Sequence, residues 1–187
     1  MSPLAGLVYA AALLLGAAGL GKVTSPGATR IALRSAGLPA TPLVARGIGA
    51  AEVLIALAAL LVGGPVATGL VAVSYLGFAW FARRLDARTR GAAPCGCFGA
   101  SSAPVGTLHV ALNLVIAVGA VIAAIDAPGP IWDAAADTPW AGVPFVALAL
   151  LLTWMLYVAL TALPEALAAA KAPAPATTPS NAPGAAS

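Results

Sequence analysis

Four stretches of this chain contain no Asp, Glu, Lys or Arg: Met1 to Gly21, Val53 to Ala82, Gly91 to Ile125 and Thr138 to Pro164. Each can hold the roughly 20 apolar residues that a helix needs to cross hydrocarbon. Such runs constrain the fold more than any motif does. Backbone placed in lipid must satisfy its own N–H and C=O groups, and a helix does so within one segment. Composition excludes the alternative of an oversized soluble core: of 187 residues, 61% are hydrophobic and 8% charged. Soluble domains carry about a quarter charged residues, and a chain this small must still wet most of its surface. The expected fold class is therefore all-α, an integral membrane bundle of about five transmembrane helices with the lipid bilayer as its first partner. The nine Lys and Arg give a formal net charge of +3. So few cations, in clusters, read as topology markers, and nucleic acid is not an expected partner.

The first span is Pro3 to Leu20. It reads as a retained helix, because nothing basic precedes it and its apolar part exceeds that of a secretory signal. Gly21 to Pro42 mixes breakers with Lys22, Arg30 and Arg34 and is expected to be a connection outside the hydrocarbon, with a short amphipathic helix around Ala28 to Ala36. A second span, Leu43 to Val62, meets Gly63-Gly64-Pro65, which predicts a helical hairpin. The third, Val66 to Phe81, ends in Phe78, Trp80 and Phe81 before Arg83 and Arg84, the order of a membrane interface. Arg83 to Gly106 is then expected as a long connection whose uncharged second half forms a re-entrant or cap-like loop. Thr107 to Ile125 and Ala141 to Leu163 complete the five, separated by an acidic loop with Asp133, Asp137, Trp132 and Trp140. The last residues, 171–187, are rich in Ala and Pro and predict a disordered tail.

Five spans put Lys22 to Pro42, Arg83 to Gly106 and the C-terminus on one side, and those two connections hold seven of the nine Lys and Arg without counting Arg46. The positive-inside rule assigns that side to the cytoplasm and the N-terminus to the outside of the plasma membrane.

The chain has two cysteines, Cys95 and Cys97, one residue apart. Two thiols at that spacing can close a small disulfide ring, with Gly96 relaxing the backbone, and strained or exposed disulfides exchange readily. A purely structural bridge is the weaker reading, because so short a ring constrains little of the unfolded chain. A closed zinc site needs about four ligands and His109 is the single histidine, so no metal is expected, although two thiolates also suit a soft ion. Glu52 interrupts the second span near its middle, where an ionisable group is either functional or a buried polar tie. Arg46, six residues earlier, lies on another face of that helix, which leaves Arg83, Arg84 or His109 as its candidate partners. His109 and Asn113 are four apart and share a helical face shortly after the cysteines, near enough in sequence for proton handling at a thiolate.

Cys95-Gly96-Cys97-Phe98-Gly99 between the third and fourth spans, Glu52 in the second, Lys22 after the first and Asn113 early in the fourth carry a likeness. On these residues the chain resembles the methylamine utilisation protein MauE family, in the neighbourhood of DoxX-like membrane proteins. The likeness divides the chain into a four-helix membrane domain over 1–125, an acidic loop plus an added helix over 126–170, and the tail. It implies a membrane thiol–disulfide oxidoreductase role in maturing methylamine dehydrogenase, or another exported disulfide-containing protein, with a thioredoxin-like partner. Cys95 or Cys97 would be the catalytic thiol, passing through a mixed disulfide. With no second cysteine pair, electron balance calls for a mobile partner or a quinone, and otherwise no cofactor. The Cys pair either draws electrons from a cytoplasmic donor or dips inward and is reached from outside. The competing readings are a non-enzymatic membrane adaptor, with the loop as a structural hook, and a soft-metal or small-molecule carrier.

Overall fold

The computed structural model describes residues 4–96, 105–136 and 139–171. In chain order the helices are α1 (Ala5–Thr24), α2 (Gly27–Ser35), α3 (Pro42–Leu61), α4 (Gly64–Thr89), α5 (Thr107–Ala123), α6 (Ile131–Ala136) and α7 (Pro139–Lys171). Four of them, α1, α3, α4 and the Val146–Leu163 part of α7, are long and apolar enough to cross a membrane. The 17 residues of α5 lie at the short end of the crossing range. The chain is thus a helical membrane bundle. The 172–187 part of the expected tail lies outside the described residues.

Local sequence explains where the helices begin and turn. Thr41 caps α3 by accepting the Val44 N–H at 3.2 Å, and Pro42 follows where a missing N–H is harmless. Gly63 and Gly64, at φ +70° and +84°, reverse the chain between α3 and α4. The third span departs from its expected end. The aromatic and arginine residues mark where lipid stops, yet the 26-residue α4 continues through Thr89, about 39 Å in all. Arg83, Arg84, Leu85, Asp86 and Ala87 include no breaker, and the helix stops only where Arg90 turns left-handed before Gly91. The acidic loop is also shorter than expected, because α6 forms within it; Asp137 lies outside the described residues.

Helices in lipid associate through close packing, and small residues permit it. The central core is built accordingly, with Ala11, Ala12, Ala56, Ala59, Ala117 and Ala120 around Leu15, Val71, Tyr75 and Ile116. The large side chains Leu54, Val66, Val73, Val115 and Leu148 point outward. Helices α1 and α3 share the most extensive interface, followed by α4 and α5. Tyr75 Oη donates to the Ala11 carbonyl at 2.9 Å, tying α4 to α1.

Successive membrane helices alternate in direction, so the ends of α1 and α4 meet the starts of α3 and α5. Across that end lies α2, and seven of the nine Lys and Arg fall in α1, α2, α3 or α4, with an eighth, Arg90, at the C-cap of α4.

Candidate functional site

The charged pair at the heart of the bundle follows from two glycines. Helices α1 and α3 are antiparallel, and each presents a glycine to the other. A Cβ on Gly19 would approach the Gly49 carbonyl to 2.6 Å and the Glu52 Cβ to 3.0 Å; one on Gly49 would meet the Gly19 carbonyl at 2.6 Å and the Lys22 Cβ at 2.8 Å. Each glycine therefore makes room for the stem of the charged residue opposite. Side chains lean toward the N-terminus of their own helix. In an antiparallel pair, Lys22 and Glu52 consequently lean toward each other.

Their meeting is an ion pair of 2.8 Å between Lys22 Nζ and Glu52 Oε2, with both side chains 5% exposed. Lys22 also reaches the Ala18 carbonyl at 3.5 Å and lies 5.4 Å from the Phe78 ring centroid. Glu52 Oε1 is buried and has no hydrogen-bond partner among the described residues. This corrects two expectations. Lys22 is not in a connection outside the hydrocarbon but in the last turn of α1, buried. Nor is the partner of Glu52 Arg46, Arg83, Arg84 or His109; Arg46 instead donates to the Val23 carbonyl at 3.3 Å.

The cysteine loop is held against α2 by its central glycine. Gly96 has φ +70°, where a side chain is strained, and a Cβ there would come within 2.8 Å of the Ala32 Cβ and 2.9 Å of the Ala28 carbonyl. Thr29 Oγ1 donates to the Gly96 carbonyl at 3.0 Å in a buried bond. The two strands of the loop are pinched together by Val105 N–H to the Ala93 carbonyl at 3.0 Å. Cys95, 5% exposed, packs in an apolar cluster with Ala32, Ala36, Leu85 and Val105. Cys97 lies outside the described residues.

These two features share one space. A cavity of about 370 Å³ is lined by Lys22, Glu52, Thr29, Cys95 and Gly96 together with Phe78, Trp80 and Phe81. Of the residues singled out by sequence, the structure thus brings Cys95 and Glu52 together. It takes His109 and Asn113 elsewhere. The His109 ring lies close to the Leu160 backbone on α7, with its Nδ1 buried and unpartnered among the described residues, and Asn113 Nδ2 donates to the His109 carbonyl at 2.6 Å. Both are buried and neither lines the cavity. Among the described residues, no group of three His, Cys, Asp or Glu is disposed to hold a metal.

A family profile described as methylamine utilisation protein MauE matches residues 2–126. The chain belongs to the MauE family. No curated protein and no solved structure gives a significant match. As a MauE protein it is a multi-pass membrane protein of the methylamine utilisation group. The matched MauE region contains every residue lining the cavity, whereas α7, on which His109 leans, lies beyond it.

Sequence reasoning missed Lys22 as a site residue beyond its family likeness, and missed Thr29 and the aromatic wall. A signal for Lys22 was present. Gly19 lies three residues before Lys22 and Gly49 three before Glu52, and in antiparallel helices that spacing sets each charge against the opposite glycine. Thr29 carries no such signal, because its role depends on α2 folding back across the bundle.

Proposed function

We propose that this MauE protein is a membrane thiol–disulfide redox protein that supports disulfide formation in methylamine dehydrogenase or another exported protein, through a thioredoxin-like partner. One observation carries the reading: Cys95 sits in a loop tied to α2 by the Thr29–Gly96 bond and lines a cavity that also contains the buried Lys22–Glu52 pair. The oxidised Cys95–Cys97 pair receives a partner thiolate at one sulfur. The S–S bond breaks, a mixed disulfide forms, and the other cysteine leaves as a thiolate. A second partner thiolate then releases the partner as a disulfide, and two electrons remain on the reduced pair. In this reading Cys97 receives the partner thiolate, a choice that the burial of Cys95 supports, and Cys95 is the cysteine that lines the cavity. Lys22 lines the same cavity as Cys95, held in its ion pair with Glu52. Glu52 is the group for moving a proton there, and His109 and Asn113 serve as a polar tie between α5 and α7.

Residues 1–125 form the redox unit in this reading, with 126–170 an added loop and helix. The positive-inside rule faces the Cys95 end to the cytoplasm, with the N-terminus outside, and a thioredoxin-like dithiol is the partner there. The opposite orientation would set the pair directly against exported proteins.

Thiol trapping with a membrane-impermeant maleimide, in intact and permeabilised cells with and without prior reduction, tests both points. Labelling that appears only after reduction is expected for a substantial fraction of the protein, and only in permeabilised cells. Cysteines that stay fully reduced under all growth conditions would overturn the redox reading in favour of a membrane adaptor. Labelling in intact cells would reverse the orientation.

A further inference from the structure

Turnover of the cysteine pair leaves a question of electrons. Each disulfide delivered to a partner leaves two electrons on this chain, and its sequence holds no further cysteines to pass them to. The cavity beside Cys95 supplies the answer. We propose that it is a binding site for a lipid-soluble quinone, which accepts those electrons; this inference rests on the thiol redox reading above.

Four features of the cavity specify such a ligand. Its exposed lining includes Ile48 of α3 and Trp80 of α4, 37% and 57% exposed, on two helices long and apolar enough to cross a membrane, which points to an opening between them. A ligand entering there comes from the bilayer and must dissolve in it. Among the described residues its charged lining groups are Lys22 and Glu52, which neutralise each other in the ion pair, so the complementary ligand is uncharged. Its walls include Phe78, Trp80 and Phe81, which suit a flat conjugated ring. Finally, Glu52 Oε1 is a buried acceptor with no donor among the described residues, and buried polar atoms are rarely left that way. A hydroquinone hydroxyl is a donor of the right kind. The volume, about 370 Å³, falls in the range of about 300–1,000 Å³ typical of small-molecule sites. It accommodates a head group with its tail leaving between α3 and α4.

The step balances. Two S–H bonds of the reduced cysteine pair break and one S–S bond forms. Two electrons pass to the quinone, and two protons reach its carbonyl oxygens to give the hydroquinone. Cys95 is the sulfur on the cavity wall, and Glu52 Oε1 accepts the hydrogen bond of the new hydroxyl.

The test uses full-length protein in lipid nanodiscs under anaerobic conditions, with decylubiquinone as the probe. Two glycines of α4 give matched variants, because a Cβ on either Gly77 or Gly69 would meet nothing within 4 Å. Gly77 lines the cavity and Gly69 does not. Saturable binding near one equivalent is expected, with Gly77→Phe weakening it at least tenfold and Gly69→Phe leaving it unchanged. Decylubiquinone should also convert the reduced cysteines to a form that maleimide labels only after reduction. Absent or non-saturable binding, or equal binding by the two variants, would overturn the site even if the thiols cycle with a protein partner. Saturable, Gly77-sensitive binding with thiols that never change state would support the site and instead overturn the redox reading.

Discussion

The two ends of the bundle are closed by different means. At the end opposite the cysteines, closure is tight and uses mostly backbone: the Gly64 N–H donates to the Pro128 carbonyl at 2.9 Å, and Tyr9 Oη donates to the Gly129 carbonyl at 2.9 Å. Gly63 packs so closely there that a Cβ would overlap Gly129. At the cysteine end, long side chains reach across. Arg84 Nε donates to the Ala36 carbonyl at 2.8 Å and Arg30 Nε to the Ala40 carbonyl at 3.1 Å, holding α2 over the helix ends. Small residues in direct contact exclude volume, whereas a separate helix propped by arginines leaves room beneath it. The propped end accordingly holds the cavity that Lys22, Glu52 and Cys95 share.

The sharpest way to break this contrast is to unbalance the buried pair. Lys22→Met leaves the Glu52 carboxyl without its partner and is expected to cost about 3–5 kcal/mol, whereas adding Glu52→Leu should recover most of that loss. Thermal unfolding in detergent measures both, and a double variant no more stable than the single one would contradict the pair's isolation. The next largest effect belongs to the helix crossing. Gly49→Ala drives a Cβ against the Gly19 backbone and is expected to destabilise by about 1–3 kcal/mol. Gly47→Ala, on the open face of the same helix, should be neutral or stabilise by up to about 1 kcal/mol.

Gly96→Ala meets both a left-handed backbone and the Ala28–Ala32 surface, so loss of about 2 kcal/mol is expected. Its maleimide reactivity at Cys95 should rise as the loop lifts from α2. At the opposite end, Gly64→Ala faces open space at φ +84° and should cost only the backbone strain, about 1 kcal/mol. A loss of similar size, about 1 kcal/mol, is expected of Arg84→Gln, which removes one partly buried bond to Ala36. Faster amide exchange confined to α2 would show that this bond holds the cap.

Much of the architecture was legible residue by residue. Gly63-Gly64-Pro65 announced the hairpin, because the backbone it needs is one that glycine adopts freely and proline begins. The connection after Leu20 announced α2 to within a residue at either end. The end of α4 was not legible, since Trp80, Phe81, Arg83 and Arg84 report the lipid boundary and say nothing of the helix, which proceeds through water on its own hydrogen bonds. Of the candidate site, Cys95 and Glu52 stood out because thiols and carboxyls are scarce in such a chain. Their common cavity did not, and the short sequence distance from the cysteines to His109 pointed to a neighbour that in fact turns toward α7.

The sequence by itself determined that this protein is a helical membrane bundle, because each segment's partition between water and lipid depends mainly on its own residues. It also determined that chemistry would centre on the few polar groups that lipid tolerates poorly. Only the tertiary structure decided which of those groups meet. Lys22 and Glu52 are 30 positions apart, and their contact depends on the depth and angle at which α1 crosses α3. Two glycines on different helices set that crossing, and a pairing between helices is a property that neither helix carries alone.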